Sequence, residues 1–268
     1  MNLENFYNKI NETFNKKTVS RRGALDGLSK LGLGALTAAI PLAIANNINT
    51  GKAFAKGNGL STSGAPTIIE ILNFALTLEY LEAKFYQQGL LAAGLIPGGD
   101  RTVFTQINLH EAAHVIDLIG AVQALGGTPT PQPTFDFTAG GLFPDVFTNY
   151  TTFLTLAQAF EDTGVRAYKG QAGGLISNDA ILTVALQIHS VEARHACEVR
   201  RIRGQKGWIS LANAGGAPAS IYVRENNTVQ GGVDVRTITT VGETPITEAF
   251  DETLTMAEVL AIAGPFIV

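Results

Sequence analysis

Two glutamate-histidine pairs at helical spacing, Glu111-x-x-His114 and Glu192-x-x-His195, each follow a lone glutamate, Glu79 or Glu161, by 32 and 31 residues respectively. Residues three apart on an α-helix share a face about one turn apart, so each pair presents a carboxylate and an imidazole to one point in space. Together the six side chains are enough to hold two metal ions. Carboxylates and imidazoles suit iron or manganese, and a chain whose one cysteine is Cys197 cannot build a Cys-x-x-Cys zinc site. The match between the two halves runs past the ligands. Laying residues 78–86 (LEYLEAKFY) on 160–168 (FEDTGVRAY) superposes Glu79 on Glu161, Lys84 on Arg166 and Tyr86 on Tyr168. The repeat is 82 residues from Glu79 to Glu161 and 81 from His114 to His195, which fits a duplicated helix pair rather than a short solenoid unit.

Such a ligand set needs four helices, and four segments carry helical periodicity with chemical signals at their ends. The first runs from about Pro66 to Gly89, with Ser63 and Pro66 as start signals. Asp100 is the expected cap of the second, which continues to Leu125 before Gly126-Gly127 stops it. A third covers about 146–170, and Asn178 is the expected cap of a fourth that ends near Arg203 and Gly204. About ten residues link the first pair and about seven the second, against roughly twenty between the second and third helices. That middle segment, TPTPQPTFDFTAGGLFPDVF, is rich in Pro and Phe. A four-helix bundle with one long crossover between helices two and three, its aromatic residues laid along the bundle, is the ferritin-like arrangement. The expected fold is therefore all-α, with the bundle formed by residues 56–203.

After Gly204 the texture changes. Glycine turns at Gly215-Gly216 and Gly231-Gly232 separate β-favouring stretches at 220–224 and 233–241, and a last amphipathic segment at 255–263 reads as a short helix. Residues 204–268 hold too few large apolar side chains for a core of their own, so they are expected to pack on the bundle as an extension of loops, short strands and that helix.

The first 55 residues read as an address. A polar, basic stretch ends in Ser20-Arg21-Arg22-Gly23, an uncharged run covers 31–45, and Ala53-Phe54-Ala55 offers a small-x-small cleavage pattern. The paired arginines resemble a twin-arginine export signal, with Ala24 and Asp26 as departures from its usual pattern. The uncharged run is short of the roughly 20 apolar residues that span a bilayer, so cleavage after Ala55 and release into the periplasm or medium is the expectation, with no stable membrane insertion afterwards. Removing residues 1–55 takes away seven of the 19 Lys and Arg and three of the 23 Asp and Glu, which moves the formal charge from −4 to −8. Such a surface disfavours nucleic acid and favours cations. The lone Cys197 permits no internal disulfide, and a homo-oligomer is left open.

The motifs NFALTLEYLEAKFY, LHEAAHV and VEARHA, with the closing AFDETLTMAEVLAIAGPFIV, resemble the exported ferritin-like proteins related to plant desiccation-related proteins. The resemblance covers nearly all of the chain beyond residue 55. It implies that Glu79, Glu111, His114, Glu161, Glu192 and His195 ligate two Fe or Mn ions, with Glu111 and Glu192 near both. Tyr86 and Tyr168 lie seven residues after the lone glutamates, hence on the same face two turns on. In the ferritin-like class such phenols hydrogen-bond a ligand carboxylate and can carry an electron; a plainly buried, hydrogen-bonded tyrosine is the other reading.

Glu82 shares a face with Glu79 and competes with it as ligand, but its repeat partner is Gly164, and symmetry favours Glu79. His189, three before Glu192, is read as a polar neighbour of the site because Asn108 holds its place in the other half. His110 is a quarter turn off the ligand face, and Cys197 is expected as a packed thiol. Two functions follow from such a site. One is reaction of the metals with O2 or peroxide, of a ferroxidase, peroxidase or catalase kind. The other is non-enzymatic metal holding, or protection of the envelope under stress and drying. A rubrerythrin-like peroxidase is disfavoured, since no rubredoxin-type cysteine site is present to deliver electrons.

Overall fold

Thr67 starts the bundle. Its hydroxyl accepts the Glu70 N–H at 3.2 Å while the Glu70 carboxylate accepts the Thr67 N–H at 2.7 Å, a capping box that satisfies two donors a helix start leaves unpaired. The structure, a computed structural model, describes residues 65–268. The export signal read over 1–55, its cleavage site and the start signal at Ser63 lie outside the described residues.

From Thr67 the chain forms α1 (Ile68–Leu91), then α2 (Gly98–Ala124), α3 (Tyr150–Leu175) and α4 (Asp179–Ile202). Asn178 caps α4 as the sequence predicts, its side chain accepting the Ile181 N–H at 3.2 Å. Asp100 does not cap α2. The helix begins earlier, behind Pro97, whose φ of −57° already suits a helix start, and Asp100 inside the first turn accepts the Tyr150 hydroxyl at 2.8 Å. The third helix starts later than its periodicity predicts, at the point where Asn149 accepts the N–H groups of Thr151 and Thr152.

The main helix contacts join α1 to α2 and α3 to α4, and α1 against α3 ties the two pairs together. The crossover over residues 125–149 lies along the bundle and delivers its aromatic rings to Phe85. That ring stacks on Phe153 at 4.8 Å and meets Phe137 at 5.4 Å and Phe147 at 5.8 Å between centroids. Burying a Phe contributes about 1.5–3 kcal/mol, and such ring pairs about 0.5–1.5 kcal/mol more. Asn73 anchors the start of the crossover by donating to the Thr128 carbonyl and accepting the Thr130 N–H.

Beyond α4 the chain returns over the bundle. The β-favouring stretch at 220–224 does not form a strand: Ala219–Tyr222 is a 3-10 turn, with Ile221 and Tyr222 buried. Tertiary contact overrides propensity here, because the fully buried Arg166 of α3 binds the Ile221 carbonyl and donates to the carbonyls of Val223 at 2.6 Å and Glu252 at 2.7 Å. The described strand content is a two-residue hairpin, β1 (Val229–Gln230) with β2 (Val233–Asp234), and Val235–Thr237 is again a 3-10 turn. A short α5 (Glu243–Thr247) leads to α6 (Met256–Ala263), opened by a second capping box between Thr255 and Glu258. The chain end then pairs with the crossover, the Val268 N–H donating to the Thr134 carbonyl at 2.9 Å. No helix among the described residues is long and apolar enough to cross a membrane.

The extension meets α3 at Gly170, where an added Cβ would lie 2.0 Å from the Leu254 carbonyl oxygen. In an open helix Gly→Ala gains about 0.5–1 kcal/mol. Gly170→Ala is instead expected to lose about 1–3 kcal/mol by overpacking, which at this size lowers the melting temperature by several degrees. Gly173→Ala, where an added Cβ meets nothing, is expected to be neutral or stabilising in the same thermal melt.

Candidate metal centre

Each of the four long helices contributes to one buried cluster. Glu79 comes from α1, Glu111 and His114 from α2, Glu161 from α3, and Glu192 and His195 from α4. The four glutamates are 0% exposed, and His114 and His195 are 6% and 4% exposed. Glu79, Glu111, His114 and Glu192 bring one donor atom each within 4.8 Å of one another, as do Glu111, Glu161, Glu192 and His195. Glu111 and Glu192 belong to both groups. The structure thus brings together all six residues that the repeat singles out, in two overlapping sets of four.

The donor atoms are crowded, and hydrogen bonds pair only some of them. His114 Nδ1 lies 3.1 Å from Glu79 Oε2 and from Glu111 Oε2, and 3.2 Å from Glu192 Oε1. His195 Nδ1 lies 2.8 Å from Glu111 Oε1 and 3.3 Å from Glu161 Oε2. Yet Glu111 Oε1, Glu161 Oε2, both oxygens of Glu192 and His195 Nδ1 are buried without a properly directed hydrogen bond. Buried polar atoms are nearly always satisfied, and leaving one unsatisfied costs about 1–3 kcal/mol. Five such atoms close together, all of kinds that ligate metals, fit a buried cation site.

Electrostatics follow from the same crowding. Burial and the neighbouring acids raise Glu79 to about 7, against the pull of His114, and push Glu192 well above the usual carboxylate range. For Glu111 burial acts upward too, but the imidazoles of His114 and His195 win and hold it below its ordinary value. Burial would lower both histidines. The carboxylates of Glu161 and Glu111 overturn this and raise His195 to about 11, while Glu79 and Glu111 raise His114.

The two tyrosines cross between the halves. Tyr86 on α1 donates to Glu161 Oε1 on α3, and Tyr168 on α3 donates to Glu79 Oε1 on α1, both at 2.5 Å. Each phenol fixes the rotamer of one carboxylate and leaves that group's other oxygen facing the cluster. Both are buried, and burial with the adjacent acid charge keeps them protonated.

His110 stands closer to the centre than its spacing indicates. His110 is outside the two ligand groups, yet its Nδ1 lies 2.9 Å from Nε2 of His195 and the rings stack at 5.1 Å. With His195 Nδ1 turned to the carboxylates, its Nε2 is oriented by His110, which takes the place that a carboxylate, carbonyl or water usually holds behind a metal-binding imidazole. Gln106, 2.8 Å from His110 Nε2, continues this line toward the surface. Val191 holds the equivalent position in the other half, so a helical wheel offers no signal for the contact. Asn108 is fully buried with neither amide atom hydrogen-bonded, and Glu82 is buried beside the cluster. His189 is outside both groups of four, and Cys197 is a free thiol that faces Gly207, where an added Cβ would lie 2.5 Å from its sulfur.

Residues 67–205, just over half of the chain and all of the four-helix unit, match the model of a ferritin-like domain family. No curated protein matches the chain.

Metal has to displace the protons that the raised histidines hold, so affinity is expected to increase with pH. Mn2+ titrations of the chelator-stripped protein from about pH 6 to about pH 8 should show steadily tighter binding with proton release, measured by calorimetry in buffers of different ionisation enthalpy. Stability of the stripped protein runs the other way. The folded value of His195 is raised from 6.5 to about 11, so its contribution is complete below about 6.5 and is lost as pH climbs through about 11. Glu79, raised from 4.5 to about 7, acts in the same direction over its own range.

Proposed function

The chain belongs to the ferritin-like domain family, and from that premise we propose that it is an exported protein whose paired Fe or Mn ions react with O2 or peroxide. Glu79, Glu111, His114, Glu161, Glu192 and His195 would hold the two ions. The observation that carries this reading is the pair of overlapping four-residue groups, with five of their buried donor atoms, on Glu111, Glu161, Glu192 and His195, lacking a hydrogen bond. When bound, such ions supply electrons and Lewis acidity toward an oxygen species.

The protein's own residues supply the rest. Tyr86 and Tyr168 hold Glu161 and Glu79 in fixed orientation from the opposite helix pair, and His110 orients His195. Tyr86 reaches Glu161 from a buried aromatic group that it forms with Phe104 and Phe153. The net charge of the chain beyond residue 55 favours cation uptake. Export through the twin-arginine route into the periplasm or medium fits a chain that folds around its metals before it leaves the cytoplasm.

A second reading is non-enzymatic: a metal-holding or desiccation-protective envelope protein in which the ions only brace the bundle. It is favoured by the closed setting, since the four glutamates are 0% exposed.

Both readings expect about two metals per chain in protein purified from its own host and measured by elemental analysis. The first also expects Fe(II) oxidation by O2, or loss of peroxide, by the purified protein; two bound metals without either reaction would leave the second. Glu111→Ala and Glu192→Ala each remove a residue common to both groups, so each is expected to abolish loading of the pair, read by the same elemental analysis.

A further inference from the structure

Glu82 is not needed by the six-residue centre, and yet the fold makes room for it. It sits one turn after Glu79 on α1, is 3% exposed, and has no hydrogen bond or ion pair among the described residues. An unpaired carboxylate in such a place is costly, and replacing it by a neutral side chain would relieve the cost.

The internal repeat gives position 164 as its counterpart, and that residue is glycine in the middle of α3. A mid-helix glycine weakens the helix, so its presence needs a reason. The space around it provides one. A Cβ at 164 would lie 2.9 Å from Glu192 Oε2 and 3.3 Å from Glu82 Oε1. Carboxylates from α1 and α4 therefore converge across a bare patch of α3 that any side chain would close. Glu192 Oε2 is one of the fully buried oxygens with no hydrogen bond. A small cavity continues from this patch, lined by Glu82, Thr163, Gly164 and, from the extension, Ile262 and Ala263.

We propose that Glu82 is a seventh ligand of the dinuclear centre, reaching the ions through the space that Gly164 leaves beside Glu192. The inference rests on the dinuclear reading above. It makes the centre unequal: α1 offers two carboxylates, Glu79 and Glu82, where α3 offers Glu161 alone. Cations supply the partner that the Glu82 carboxylate lacks, which is why the chain keeps an acid where glutamine would serve the apo fold better.

The test compares the full chain as wild type and as Glu82→Gln, both stripped of metal and titrated with Mn2+. Stoichiometry and affinity are read by calorimetry and elemental analysis, and stability by thermal melting with and without Mn2+. The wild type is expected to take up two Mn2+. Glu82→Gln is expected to melt no lower than wild type without metal, to bind the second Mn2+ at least about tenfold more weakly, and to gain less from Mn2+ in its melting temperature. A crystal structure of the Mn2+-loaded wild type gives a readout independent of any variant, with a Glu82 oxygen expected within about 2.6 Å of an ion. Wild-type affinity for both ions in Glu82→Gln, or a Glu82 carboxylate clear of both ions in the loaded crystal, would overturn the assignment while leaving the dinuclear centre standing. A wild type that takes up no Mn2+ overturns the dinuclear reading itself, and Glu82 with it.

Discussion

The burial of acids governs this molecule. Glu79, Glu82, Glu111, Glu161 and Glu192 lie within one apolar bundle, all at 3% exposure or less, and the imidazoles in contact with them are His114 and His195. Removing such charges from water costs several kcal/mol each unless they are protonated, paired or bound to cations. Every local arrangement is a response to that cost. The histidines are drawn above their ordinary range, Glu111 is held below its own, and the others are pushed up toward protonation. Two divalent cations would replace all of these partial remedies at once, so metal binding and fold stability are two faces of one free energy.

The third helix shows how a single segment serves this centre and the rest of the fold together. Glu161, Gly164 and Tyr168 recur at spacings of three and four and face the cluster. Asp162, Arg166 and Gly170, at spacings of four, form a second stripe that receives the extension. Asp162 accepts from Arg200 Nη2 at 2.5 Å and from the Tyr222 hydroxyl at 2.6 Å, Arg166 gathers carbonyls of the extension and pairs with Glu225 at 2.8 Å, and Gly170 lets the Leu254 carbonyl approach. Every charged or hydroxyl group on the two stripes has a partner on another element. A displacement of α3 would disturb the carboxylates and the extension together, and this is the physical sense in which residues 204–268 bear on the centre.

Much of this was legible in the sequence because ligand chemistry leaves a periodic trace. The Glu-x-x-His spacing requires helices, the repeat requires two similar pairs, and a Pro- and Phe-rich link of the right length requires a crossover, whose rings at Phe137 and Phe147 do meet Phe85. Two of the misses share a cause. Lys84 and Arg166 align in the repeat but part in the structure, since Lys84 reaches only Gln87 on its own helix while Arg166 is buried under the extension. Nothing local to Arg166 says that a segment some 55 residues later will cover it. The stretch at 220–224 reads as strand for the same reason, its conformation being set by the carbonyl grip of that arginine rather than by its own side chains.

The duplication accounts for the centre's symmetry, and the departures from it account for its direction. Both tyrosine-glutamate bonds obey the two-fold relation. His110 against Val191 breaks it on the His195 side, placing a half-buried imidazole and then Gln106 on a line toward solvent. Glu82 against Gly164 breaks it between the facing helices α1 and α3, beside a cavity bounded by the extension. A symmetric pair of ions would be bound equally and approached equally. Here His195 is backed by polar side chains that lead to the surface, and Glu192 has an extra acid near it beside a cavity lined largely by apolar side chains. The two halves of the repeat therefore present different chemistry to the cluster, which a duplicated site without these substitutions would not do.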